Sequence, residues 1–158
     1  RAGEVIVSAG AIHSPALLLA SGIDTPGVGE GLKDHPSFPV AIELADDIAW
    51  DPDSLPVGVL TRATSGESPA DLQILPMNHL GRSAPRLGLV MVALMEVRSQ
   101  GRITRRAGDG ATVFRPGIDF SMLDDPSDER RLLVGIEQLR GAVSYTHLTL
   151  PTPTSRRS

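Results

Sequence analysis

Four histidines, at positions 13, 35, 79 and 147, are the side chains in this sequence best suited to moving a proton near neutral pH. His13 sits where a helix should begin and reads as a solvent-facing residue at its entry. His79 follows the run DLQILP, where it either lines a pocket or faces water. His147 lies in a tail rich in Thr, Pro and Ser and carries no weight. Two groups of carboxylates stand out, Glu43 with Asp46 and Asp47, and Asp124 with Asp125. Either could be imagined as metal ligands or as an acid/base pair, but no histidine framework accompanies them, so they read as loop and helix-start carboxylates. Gly27, Gly29 and Gly31 invite a nucleotide-loop reading. A dinucleotide fingerprint follows a strand and opens a helix, whereas these glycines follow a helix end, so they read as an ordinary loop. The turn Ala9-Gly10-Ala11 with Ser14 is more promising. Its small side chains let backbone N–H groups at a helix start approach a phosphate or ribose closely, where a larger side chain would block them. Taken alone, these residues favour the other reading, in which Gly10 merely makes a tight turn.

The elements that must hold these residues can be read from the pattern. Glu4 to Ser8 (EVIVS) is β-branched and apolar, which predicts a short strand buried on both faces as in a parallel sheet. Ser14 then caps a helix with Pro15 at its first position and Ala16 to Ala20 as its body, and Gly22 ends it. Thr25 to Gly31 is too rich in Gly and Pro to be anything but loop. Strands are predicted over Phe38–Leu44, Val57–Arg62, Asp71–Pro76 and Leu87–Val97, with Asp46–Pro56 a loop and Arg102–Arg105 pairing after a turn at Gln100-Gly101. Several strands without intervening helices imply an antiparallel sheet distinct from the opening βα unit. Asp125-Pro126 starts a last helix, with Asp128 and Glu129 in its first turn and Leu132, Leu133, Ile136 and Leu139 forming one buried face.

The totals bound what this chain does. Its 158 residues suffice for one domain or parts of two, and an apolar fraction of 41% supplies a core. A net charge of -4, with both signs scattered, gives no basic patch for nucleic acid. With no cysteines, disulfides and thiolate metal sites are excluded. The longest apolar runs, Leu17–Ala20 and Leu89–Met95, are far too short to cross a membrane. The chain starts at Arg1 with neither Met nor a secretory leader, so the N-terminus looks cut from something longer and the expected location is the cytoplasm. Residues 143–158 (VSYTHLTLPTPTSRRS) change character and read as a disordered tail or as an artefactual end resembling translated adapter sequence.

Gly10 to Asp24 (GAIHSPALLLASGID) resembles the second signature of the glucose–methanol–choline (GMC) oxidoreductases. There a Gly, a small residue, two variable positions, Ser/Thr and Pro/Ser precede an aliphatic pair and Ser-Gly-Ile-Gly. Asp24 departs, standing where the family has Gly. Gly27 to Pro36 (GVGEGLKDHP) resembles the family's GVGxNLxDHP segment, Ser99 to Thr104 (SQGRIT) its SRGxVxL strand, and Pro116 to Leu139 its P-x-I-D-x-x-x-L-x-D-P-x-D segment and following helix. Together these cover roughly residues 3–142. The compact Asp24–Gly27 junction points to a subfamily, with the mycofactocin-associated dehydrogenases as the guess.

The resemblance implies α/β plus α+β architecture, the end of a Rossmann-like FAD-binding domain over residues 1–36 and part of an antiparallel-sheet substrate domain over 37–142. It implies an internal fragment of an FAD-dependent enzyme that oxidises the CH–OH group of a small-molecule alcohol, with an unknown electron acceptor. Ala9, Gly10, Ala11 and Ser14 would lie against the FAD, and Asp34-His35 would position the chain near the flavin. The family's catalytic histidine pair and its pyrophosphate-binding glycines have no counterpart in this chain, so no catalytic residue is expected here and the piece alone should be inactive. The reading from another class is a small non-catalytic binding or structural module.

Overall fold

The computed structural model describes residues 2–44, 51, 53, 55–82, 84, 86–106 and 115–145. The chain forms two compact units, and neither is a continuous stretch: residues 1–34 with 97–126 make the first, and 35–96 with 127–158 the second. The expected disordered or artefactual tail falls almost wholly on 146–158, as does His147, and the Asp46–Asp47 pair falls on 45–50; these lie outside the described residues.

In the first unit, helix α1 (Gly10–Ala20) precedes a three-stranded antiparallel sheet of β1 (Glu30–Leu32), β6 (Gly101–Arg105) and β7 (Pro116–Asp119), in the order β1-β6-β7. Ala16, Leu32 and Ile103 are its buried centre, with Ile12, Leu19 and Phe120 packed around them. The C-terminus of α1 follows the sequence. Gly22 has φ +76, its N–H donates to Leu19 O, and the Ile23 N–H reaches back to Leu18 O at 2.9 Å. This paired closure places Gly at the left-handed position that other residues adopt only with strain.

Four sequence expectations fail in this unit, one of them the loop over Thr25–Gly31, whose last two residues, Glu30 and Gly31, open β1. Glu4–Ser8 is not a strand, and Val5 and Ile6 stand 76% and 84% exposed. A parallel strand is held by neighbours on both sides, and no described strand pairs with this run. Helix α1 begins at Gly10, so Ser14 is not its cap and Pro15 lies inside it. Finally, β6 does not pair back on the preceding strand after Gln100-Gly101; it lies between β1 and β7. Two glycines make that placement possible. A Cβ on Gly101 would fall 2.1 Å from Asp119 O, and one on Gly29 would fall 2.3 Å from Ile103 O. β7 itself was not anticipated.

In the second unit, β2 (Ser37–Glu43), β5 (Leu87–Leu94), β4 (Leu72–Met77) and β3 (Thr61–Ala63) form an antiparallel sheet in the order β2-β5-β4-β3. The register is continuous, from Ser37↔Ala93 to Glu43↔Leu87 and from Leu72↔Leu94 to Met77↔Leu89. The antiparallel sheet read from sequence is present, although the strand expected over Val57–Arg62 is only Thr61–Ala63. Helix α2 (Pro126–Tyr145) packs on one face. Gly135 brings it close, since a Cβ there would fall 2.7 Å from Val92 Cγ2 and 3.1 Å from Leu72 Cδ1. Leu72, Val92, Leu94, Leu132 and Leu139 are buried, but Leu133 is 53% exposed. The buried stripe runs through Asp128, Arg131, Leu132, Gly135 and Leu139, and Leu133 is turned about 100° away from it.

That stripe carries a charge cluster. Asp71, Asp128 and Arg131 are all at least 99% buried. Arg131 pairs with both carboxylates and also donates to the carbonyls of Glu96 and Ser127. Asp71 additionally accepts from the Ser65 N–H at 2.8 Å and the Ser65 hydroxyl at 2.6 Å. Burial pushes the Asp71 carboxyl up, but the Ser65 hydroxyl, the Ser65 N–H and Arg131 outweigh it, and the group ends below its ordinary value of 3.8. A depressed folded-state value means the unfolded chain takes up the proton first as pH falls. The contribution of Asp71 to stability is therefore fully present above pH 3.8 and disappears as pH drops through the lower folded value. Unfolding midpoints measured from pH 7 down to pH 2 should fall at the acid end in the wild type, and Asp71→Asn should remove part of that slope. An unchanged slope would exclude Asp71 from the acid response.

Candidate functional site

The concave surface of the first unit is built by α1 and the glycine loop that follows it. Gly10 opens the helix at φ +82 with nothing within 4 Å of where a Cβ would stand. The turn is closed by the Ala9 N–H, which donates to Ser14 Oγ at 2.9 Å. Ser14 therefore braces the turn from inside the helix rather than capping it. Pro15, one residue on, has no N–H to give the Ala11 carbonyl, so the ladder is interrupted beside the same turn. Facing these residues, Gly27, Gly29 and Gly31 have φ of +92, +83 and +70, and the loop folds back so that Gly29 O accepts from the Ile103 N–H at 2.6 Å.

Between them is an open depression of about 360 Å³, lined by Ala11, Ser14, Pro15 and Leu18 of α1, by Gly27 through Lys33, and by Ile103. Two of the four expected cofactor contacts, Ala11 and Ser14, line it. Ala9 and Gly10 are exposed and are not among its lining residues. Gly27, Gly29 and Gly31, which the sequence presents as an ordinary loop, form part of this wall. The signal that could have found it is the alternation of three glycines, which frees the backbone for close approach whether or not a helix follows. Lys33 is anchored, its Nζ donating to Val97 O at 2.8 Å.

The described histidines stand in different settings. His13 is exposed on α1, and His35, also exposed, places Nδ1 3.0 Å from Leu94 O. His79 is buried in the second unit, where Nδ1 accepts from the Gly81 N–H at 3.1 Å. Among the described residues no group of three or more His, Asp or Glu could hold a metal ion. Asp124 and Asp125 stand, as expected, at the start of α2, where the Asp125 N–H donates to Ser99 Oγ.

Residues 1–37, which carry α1 and most of the depression, match the family model described as GMC oxidoreductase. The chain belongs to the GMC oxidoreductases. It is 32% identical over 155 residues to the 5-(hydroxymethyl)furfural oxidase of Methylovorus sp. (strain MP688), covering 86% of this chain and 29% of that protein. It is 31% identical over 170 residues to the choline oxidase of Arthrobacter globiformis, covering 87% of this chain and 30% of that protein. The chain thus spans about a third or less of the curated GMC relatives it matches. Among solved structures, pyridoxine 4-oxidase from Mesorbium loti superposes with a TM-score of 0.59 at 18% identity, over 93% of this chain and 35% of that one. The GMC fold is therefore shared well beyond the segment that carries the signature. Among the described residues no helix is long and apolar enough to cross a membrane.

Proposed function

We propose that this chain is a segment of an FAD-dependent oxidoreductase that oxidises the CH–OH group of a small-molecule alcohol. In this reading residues 1–36 are the end of the FAD-binding domain and residues 37–142 part of the substrate domain. The observation that carries it is the shared depression: Ala11 and Ser14 from one family-like stretch and Gly27–Lys33 from another line a single concave surface.

The turn suits a cofactor with a phosphate–ribose backbone. Gly10 has open space above it, and Ala9, Gly10 and Ala11 carry little side-chain volume, so a ligand can come up to main-chain N–H groups at the start of α1. When bound, FAD would supply the hydride-accepting ring. The chain's own residues hold and shape: Ser14 fixes the turn through the Ala9 N–H, Gly29 lets the loop close on β6, and Pro15 and Leu18 provide an apolar wall. None of the histidines at 13, 35 and 79 stands at this surface, so none is assigned as the base, and the segment alone is not expected to turn over alcohol.

Flavin content tests the reading. Full-length protein bearing this segment should purify yellow, with the two visible flavin absorption bands, and should bleach when an oxidisable alcohol is added without air. Gly10→Val should lower bound flavin severalfold, because the new side chain would occupy the space over the turn in a conformation that valine adopts poorly. Full-length protein that is colourless and takes up no FAD on reconstitution would end the proposal.

A further inference from the structure

The four-stranded sheet of the second unit carries two prolines inside its strands, Pro39 in β2 and Pro76 in β4. Proline has no N–H to give a ladder, so its effect depends on which side of its strand it turns to. In β2 the flanking bonds decide this. The Leu94 N–H donates to Pro36 O at 3.0 Å and the Leu44 N–H to Arg86 O at 2.9 Å. With the continuous register between them, even-numbered residues turn their main-chain groups toward β5, and Ser37, Pro39, Ala41 and Glu43 turn theirs away. β2 ends the strand order, so among the described residues this outward row meets no other strand. Pro39 stands in that row and breaks no bond of the sheet.

Pro76 acts at the other margin. The Met95 N–H donates to Asp71 O at 2.7 Å, which turns the odd-numbered residues of β4 to β5 and Pro76 to the β3 side. The β3–β4 register, Thr61↔Ile74 and Ala63↔Leu72, continued upstream would set Val59 opposite Pro76 and Val57 opposite Asn78. Pro76 has no N–H to offer Val59 O. Pairing stops at Thr61, and the Asn78 N–H donates instead to Pro56 O at 2.8 Å, one residue out of step. An extra residue on one side of a ladder is a β-bulge, which bends the strand and interrupts pairing. The strand-like run Val57–Arg62 is thereby cut to Thr61–Ala63, and Val59 and Leu60 are left 61% and 55% exposed.

We propose that Pro39 and Pro76 close the two margins of this sheet to strand addition, so that the unit does not extend itself with a strand from another molecule. An open edge presents a row of unpaired N–H and C=O groups on which such a strand can form. Without its proline β2 would be a good template, with seven residues and Phe38 44% exposed. Pro39 removes one donor from the middle of that row. β3 offers only three residues, of which Arg62 alone turns its main-chain groups outward, and the bulge lies directly before it.

Association of the full-length protein tests this. Pro39→Val restores the missing N–H without touching a bond of the sheet. Held below its unfolding midpoint, this variant should scatter light and sediment as larger assemblies severalfold sooner than wild type. Adding Ala41→Pro, which removes the next donor of the same row, should bring the rate back to that of wild type. Pro39→Thr supplies the same N–H on a polar side chain and should associate as the valine variant does, which keeps the test open if the double variant folds poorly. Pro76→Val should let β3 lengthen, slowing hydrogen exchange at the Val59 amide about tenfold, the scale of one hydrogen bond. The proposal is overturned if both position-39 variants behave as wild type, or if only the valine variant associates. Association undiminished by Ala41→Pro in a folded double variant, or a Val59 amide that exchanges as before, would overturn it equally.

Discussion

Arg131→Met is expected to destabilise the second unit by about 3–5 kcal/mol, because it leaves two carboxylates buried without their shared counter-charge. Asp71 and Asp128 are fully enclosed, and although Ser65 bonds Asp71, its hydroxyl and N–H are neutral donors. Methionine restores much of the lost volume, so the loss would report charge and hydrogen bonding rather than a cavity. Denaturant unfolding of the full-length protein checks this through the transition assigned to the second unit. Adding Asp71→Asn and Asp128→Asn to the methionine variant should recover a substantial part of the loss, since neutral amides are far cheaper to bury than unpaired carboxylates. A loss below about 1 kcal/mol for the single variant, at the level of an exposed ion pair, would mean that the cluster is not dry.

Gly29→Ala should be a strongly damaging small substitution in the first unit. Gly29 has φ +83, in the left-handed region that costs an L-residue roughly 1–2 kcal/mol. In addition its new Cβ would sit 2.3 Å from Ile103 O, a backbone atom that cannot swing aside. Relieving that clash breaks the bond from the Ile103 N–H to Gly29 O, worth about 0.5–1.5 kcal/mol. Together these come to about 1.5–3.5 kcal/mol. Gly27→Ala is the control: its φ is +92, but nothing lies within 4 Å of its added Cβ, so it should cost the backbone part alone. Equal midpoints for the two variants would show that the close approach to β6 does not matter. The alanine at 29 should also reduce flavin uptake by the full-length protein, because Gly29 lines the proposed cofactor surface.

Local signals were legible and long-range ones were not. Gly22 could be read as a helix stop because its role depends on a few adjacent residues and one sign of φ. The loose alternation over Phe38–Leu44 could be read because an antiparallel strand with one face packed imprints itself on its own sequence. Glu4–Ser8 reads as a strand on composition, yet a strand exists only through its neighbours, and Val5 and Ile6 find none among the described residues. The position of β6 depends on Gly101 and Gly29, each meeting backbone from a distant part of the chain. No window of sequence contains that. Ser14 shows the same limit on a smaller scale: a Ser followed by Pro resembles a cap, but Gly10 starts the helix earlier and converts the hydroxyl into an internal brace. Of the four residues expected beside the cofactor, Ala11 and Ser14 line the depression and Ala9 and Gly10 do not. The glycine loop opposite them was passed over because it lacks the strand-then-helix setting on which the fingerprint argument relies.

The interleaved order of the two units bears on how the chain is made. The four strands of the second sheet leave the ribosome well before the helix that covers them, and β6 and β7, which belong elsewhere, are synthesised in between. Until Arg131 and Leu139 emerge, Leu72, Val92, Leu94 and the Asp71 carboxylate must wait without their lid. The sheet is therefore an open sandwich during translation, and a stall or stop codon between residues 97 and 126 would release it in that state. Such a product should depend on chaperones and precipitate without them, whereas one ending past α2 would carry its own cover.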